Sequence, residues 1–117
     1  MEHMKIIQDT LRELGIGKNY ISQKRTVVVI QLALEDEDRL LRVKKGIYIP
    51  AAEMCDCTWS AVERNIRMVV EKAWKVNRDG LVKMAGYPMS EPPTASEFIE
   101  IMVYHLQKKL AVASHGK

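Results

Sequence analysis

Only two of the 117 residues are cysteines, one is a phenylalanine, and aromatic residues make up 6% of the chain. Cys55 and Cys57 flank Asp56, a poor spacing for a disulfide. Zinc sites usually take four ligands at recognisable spacings, and His3, His105 and His115 are scattered. No metal and no other cofactor is therefore expected, and Cys55 is read as a buried residue at a helix–turn junction. Such cysteine usage suits a reducing cytoplasm. No apolar run is longer than four residues, as at 27–30, too short for a signal peptide or a membrane span. There is no Gly-rich phosphate loop, no H-E-x-x-H and no G-x-S-x-G. Glu, His and Cys residues lie on different segments without a catalytic pattern, so an enzyme is not expected. A strong charge bias is missing too. The net charge of +3 permits nucleic-acid binding without demanding it.

What is present is a hydrophobic content of 47%, enough for a packed core and against disorder. The length predicts a single domain over residues 1–117. Residues 5–14 carry Ile6, Ile7, Leu11 and Leu14 at helical period, and Gly15 is a natural stop. Residues 20–34 are ambiguous. TVVVI favours a strand on propensity, whereas the flanks QKR and QLALEDED favour a helix. Residues 35–38, EDED, precede Arg39, Arg42, Lys44 and Lys45. This sign change reads either as a phosphate-facing stretch or as solvated, locally paired charge. Gly46 is expected to break the pattern. Further on, residues 77–80 should close a long helix, 81–85 should form a short one, and Gly86 should end it. Thr94 and Glu97 have the spacing of a capping box for a last helix. That helix carries Phe98, Ile101, Met102, Val103, Leu106 and Leu110 as its core stripe, and residues 111–117 should fray.

The densest information lies at residues 49–74, IPAAEMCDCTWSAVERNIRMVVEKAW. It reads as a short helix, a tight turn and a long amphipathic helix, the layout of a helix-turn-helix. Pro50 suits a first helical turn and Ala52 a close helix crossing. Asp56 suits a left-handed turn residue. Thr58 can cap the second helix, with Ser60 and Glu63 as an alternative box. Val62, Ile66, Val69, Val70 and Ala73 form one stripe, with Trp74 at its edge. Ser60, Glu63, Arg64, Arg67, Glu71 and Lys75 form the other. From Thr58 to Arg78, five basic residues stand against Glu63 and Glu71, a net +3 that equals the excess of the whole chain. The pattern alone leaves open a DNA-reading face and an ordinary solvated one.

TWSAVERNIRMVVEKAW, residues 58–74, resembles the recognition helix of the DNA-binding effector domain of the master sporulation response regulator of endospore-forming bacteria. LRELGI at 11–16 is similar to that family's opening helix and glycine stop. AGYP at 85–88 and PPTASEFIEIMVYHLQKKL at 92–110 are similar to its C-terminal segment. The resemblance thus spans nearly the whole chain in order, and VER-x-IR together with SEFI is specific. It implies an all-α fold of about six helices with a helix-turn-helix, related to winged-helix proteins but without a clear wing. It also tips residues 20–34 towards helix.

The resemblance further implies a transcription regulator that binds double-stranded DNA at a short GC-containing box, roughly TGTCGAA and often in tandem, as a homodimer on the paired sites. Glu63 and Arg64 would read bases, Arg67 would add a basic contact, and Ser60, Met68 and Lys75 complete the implied DNA-binding set. Arg78, Asp79, Lys83 and Tyr87 would face the RNA polymerase sigma subunit. Ala61 stands where the family commonly has arginine, Trp59 where it has a small residue, and Met68 where it can have histidine. Full-length members carry a phospho-accepting receiver domain. Its absence here leaves a receiver-less relative or an excised effector domain, expected to work without phosphoryl gating and to be monomeric off DNA. A rival reading is a protein-interaction module of the same fold that modulates a full-length regulator without touching DNA. The EDED run and Ala61 lean that way, while Arg64 and Arg67 lean against it.

Overall fold

A computed structural model describes residues 3–18 and 20–115. Helix α1, Met4–Glu13, buries Ile7 and Leu11. It ends as its glycine predicts. Gly15 takes φ +91°, its N–H reaches Arg12 O at 2.9 Å, and Ile16 N–H reaches Leu11 O at 2.9 Å. A side chain there would meet both the left-handed backbone and Val76 Cγ1, 2.7 Å from the Cβ position.

Residues Ile21–Glu35 form helix α2, not a strand. Gln23, Thr26, Val27, Val29, Ile30, Gln31, Leu32 and Ala33 are all buried, so the helix is enclosed on most sides. It packs against α1, α3, α4 and α5. Enclosure of this kind overrides the β preference of a valine run. The Thr26 hydroxyl donates to Ser22 O at 2.6 Å, which satisfies one buried polar group within the helix itself.

After α2 the chain makes a 3-10 turn, Glu37–Arg42, and a π turn, Lys44–Tyr48, which runs directly into helix α3, Ile49–Cys55. Gly46 therefore does not break the helical path. Its lack of a side chain serves a close approach instead, because a Cβ would lie 3.1 Å from Arg39 O and 3.2 Å from Arg39 Cα. The Arg39 guanidinium closes the same contact by donating to Gly46 O at 2.6 Å. Pro50, at the start of α3, has no N–H to give to Gly46 O four residues back, and the Arg39 guanidinium takes that acceptor instead.

The expected tight turn follows. Asp56 is left-handed at φ +55°, and Cys57 N–H donates to Ala52 O at 3.0 Å. Cys55 is half-buried rather than buried, since α3 ends there and the exposed Met54 and Asp56 leave the helix end partly open. Burial first, then neighbouring Cys57, push its thiol pKa up, against a pull down from Arg25.

Thr58 caps helix α4, Trp59–Ala85, by accepting from Ala61 N–H at 3.1 Å. Val62, Ile66, Val69, Val70 and Ala73 are buried as the stripe requires. The helix is kinked at Asn77, φ −148° and ψ 65°. Its second arm starts just after the kink, earlier than the sequence pattern indicates. Asn77 Oδ1 accepts from Gly80 N–H at 3.0 Å, capping the second arm, and Nδ2 donates to Glu13 O at 2.8 Å. Gly86, at φ +81°, ends the helix.

Helix α5, Ala95–His115, opens with the expected reciprocal box: Glu97 N–H to Thr94 Oγ1 at 3.1 Å and Thr94 N–H to Glu97 Oε1 at 2.8 Å. Phe98, Ile99, Met102 and Leu106 are fully buried. The helix continues through residues 111–115 instead of fraying, as the helix formers Leu110 and Ala111 favour; residues 116–117 lie outside the described part. Counting the two arms of α4 separately gives the six-helix, all-α fold, with no strand and hence no wing among the described residues.

Two consequences are measurable. Asn77→Ala removes a cap and the link from α4 to α1, and should lower unfolding stability by about 1–2 kcal/mol in urea titration. His105, on α5, has a pKa below the ordinary histidine value because burial and Lys109 disfavour its cation, with Glu13 opposing and Lys108 adding. The unfolded chain then takes the proton first as pH falls. His105 therefore contributes stability that is present above about pH 6.5 and is lost as pH drops through the folded value. Thermal melts of wild type and His105→Gln between about pH 7 and 5 should diverge, with the flatter profile in the variant.

Candidate nucleic-acid interface

The first arm of α4 has two opposed faces. Its apolar stripe is sunk against α2 and α5. Burying each Val or Ile side chain contributes about 1.5–3 kcal/mol, whereas an exposed i,i+4 ion pair contributes about 0.2–0.5 kcal/mol. Packing therefore sets the rotation of the helix, and the surface charges follow from it. Ser60, Arg64, Arg67, Met68, Glu71 and Lys75 are all exposed, and Glu63 and Ala61 are half-buried at the margin of the same face.

Three links to distant segments hold the arm in place. Arg25 Nη1 on α2 donates to Asn65 Oδ1 at 2.8 Å. Lys72 lies 4.0 Å from the Tyr20 ring centroid and donates to the Tyr20 hydroxyl at 2.7 Å. Lys44 lies 4.1 Å from the centroid of the Trp59 ring. These links were not visible as sequence signals, because each joins residues with no periodic relation. Tyr48 is buried in the core beneath this region. Burial raises its phenol pKa, which Ser96 lowers in part, so the hydroxyl is neutral at physiological pH.

Within the face, Glu63 makes its ion pair with Arg67 at 3.8 Å, one turn on. Arg64 takes part in no ion pair among the described residues. Its guanidinium is thus free to present a donor fork, the geometry that suits the paired acceptors of guanine, and the Glu63 carboxylate suits the amino group of cytosine. Met68 is 51% exposed, an apolar tip of the kind that meets a thymine methyl. Ser60 Oγ lies 3.2 Å from Thr58 Oγ1 and so belongs to the helix cap. Lys75 stands about 16 Å further along the axis than Arg64, at 1.5 Å per residue.

Arg78, Asp79, Lys83 and Tyr87 are all exposed but lie past the kink, on the second arm and its exit. Arg78 stacks 4.3 Å from the Trp74 ring centroid, which fixes its direction. The kink divides these four residues from the first set. Among the described residues no group of three potential metal ligands comes together, and no helix is long and apolar enough to cross a membrane.

Residues 7–106 match a family model described as Sporulation initiation factor Spo0A C terminal. The match covers most of the chain, and the chain belongs to that family, the DNA-binding C-terminal domain of a sporulation transcription regulator and not an enzyme family.

Proposed function

We propose that this chain binds double-stranded DNA sequence-specifically and acts as a cytoplasmic transcription regulator related to sporulation initiation. The observation that carries this reading is the first arm of α4. One face is locked into the core, and the other exposes Arg64, Arg67, Met68 and Lys75 in line after a tight helix-turn-helix turn. Arg64 and Glu63 read base edges. Arg67 and Lys75, further along the helix, meet phosphates, with Ser60 at the entering end. Two copies assemble on tandem boxes, where the DNA supplies a high effective concentration. Arg78, Asp79, Lys83 and Tyr87, carried on the second arm, face the sigma subunit of RNA polymerase. The kink supports that division of labour, because it turns these residues away from the line of the recognition arm.

Fluorescence anisotropy on a tandem-box duplex, at stated salt, tests the reading. Arg64→Ala should lose about 1–3 kcal/mol on the box and much less on a duplex whose contacted guanine is replaced. Equal losses on both would remove Arg64 as a base reader. Neutralising Lys75 should weaken all sequences alike and make the salt slope shallower by about one unit. Binding to the box no tighter than to scrambled DNA would favour an interaction module instead.

A further inference from the structure

The basic end of the segment before α3 is not on a free loop. Arg42, Lys44 and Lys45 are exposed, and none joins an ion pair among the described residues. Their backbone is fixed twice. The π turn Lys44–Tyr48 continues into α3 without a break, and Arg39 clamps Gly46 at 2.6 Å across a contact only a glycine fits comfortably. Lys44 itself is fixed a third time, by the Trp59 ring at 4.1 Å.

Trp59 is the first residue of α4 and is 37% exposed. The N-terminal end of a recognition helix is the end that approaches the groove, so Lys44 is held where a duplex backbone passes. An aromatic ring orients an ammonium without neutralising it, unlike a carboxylate. Arg67, by contrast, shares its charge with Glu63 at 3.8 Å. Lys44 therefore keeps its full charge and has already lost much of the rotamer freedom that a phosphate contact would remove. The acidic residues of the preceding turn form no ion pair with it among the described residues, and the Asp36 carboxylate is turned back onto Asp38 N–H at 3.1 Å.

We propose that residues 42–45 form a second DNA-contacting element, in which Lys44, positioned by Trp59, grips the phosphate backbone beside the entering end of the recognition helix. It rests on the DNA-binding reading above. The element supplies backbone charge at the start of α4, beside Trp59. Arg42 and Lys45 add to the same local field, and Trp59 acts as a positioning residue.

The test uses the full chain and anisotropy on a family-type box and on a scrambled duplex, across about 50–200 mM salt. Lys44→Ala should make the slope of log K against log salt shallower by about 0.9, equally on both duplexes. Lys44→Arg should retain the slope. Trp59→Leu keeps apolar volume but removes the π face, and should weaken binding; adding Lys44→Ala to it should cost less than Lys44→Ala alone. Helical circular dichroism establishes that each variant is folded. An unchanged slope in Lys44→Ala, with wild type binding normally, overturns this inference and leaves the DNA-binding reading standing. Full additivity of the two substitutions overturns the positioning role of Trp59. Failure of wild type to bind either duplex overturns both readings.

Discussion

Helix α4 lays Val62, Ile66, Val69, Val70 and Ala73 against α2, and the remaining organisation depends on that contact. Because α2 is enclosed on most sides, it offers α4 a surface whose shape is set by α1, α3 and α5 as well. Rotating α4 by even a third of a turn would expose several branched side chains, each worth about 1.5–3 kcal/mol. No surface ion pair on the opposite face approaches that value. The polar face is therefore aimed by the core. Arg64 and Arg67 point outward because Val62, Ile66 and Val69 point inward.

The helix boundaries supply the second constraint. The left-handed Asp56 and the Thr58 cap fix where α4 begins, and Asn77 fixes where it bends. The bend is tied to α1 through Glu13 O, so the first helix of the chain helps decide how far the recognition arm runs. Lys109 on α5 also reaches Glu13, at 3.2 Å through its carboxylate. One residue of α1 thus connects the kink and the last helix. The kink thus separates the two exposed residue sets along the chain.

The locally determined features were legible in the sequence. Gly15, Asp56, Thr58, Gly86 and the Thr94–Glu97 box each depend on a few neighbouring residues, and each forms as its local chemistry dictates. The amphipathic stripe of α4 was equally plain. Helix α2 was not, since enclosure on most sides erases the polar–apolar period that marks a helix, and the resemblance was needed to decide it. Gly46 does not act as the breaker its residue type suggests, because its reason, the approach of the Arg39 backbone, is tertiary. The second arm of α4 begins earlier than the pattern indicates because Asn77 is drawn out of the helix, its Oδ1 capping Gly80 N–H while its Nδ2 donates to a carbonyl 64 residues away. For the candidate interface, exposure of Arg64, Arg67 and Lys75 follows from periodicity, whereas Met68 enters only through the resemblance. The Glu63 pairing with Arg67, the Arg25–Asn65 bond and the ring beneath Lys44 do not follow from periodicity, since side-chain direction and distant partners leave no periodic trace.

The central claim is that the outward face of residues 60–75, rather than any other surface of the fold, meets DNA. Backbone amide shift mapping by NMR, with a single-box duplex titrated into the labelled chain, reads this directly and without mutation. The account predicts that the largest shifts fall on residues 60–75 and on 42–45, with the second arm and the exposed side of α5 nearly unmoved on a single box. Shifts concentrated on residues 78–87 or on α5, with residues 60–75 unmoved, would contradict it.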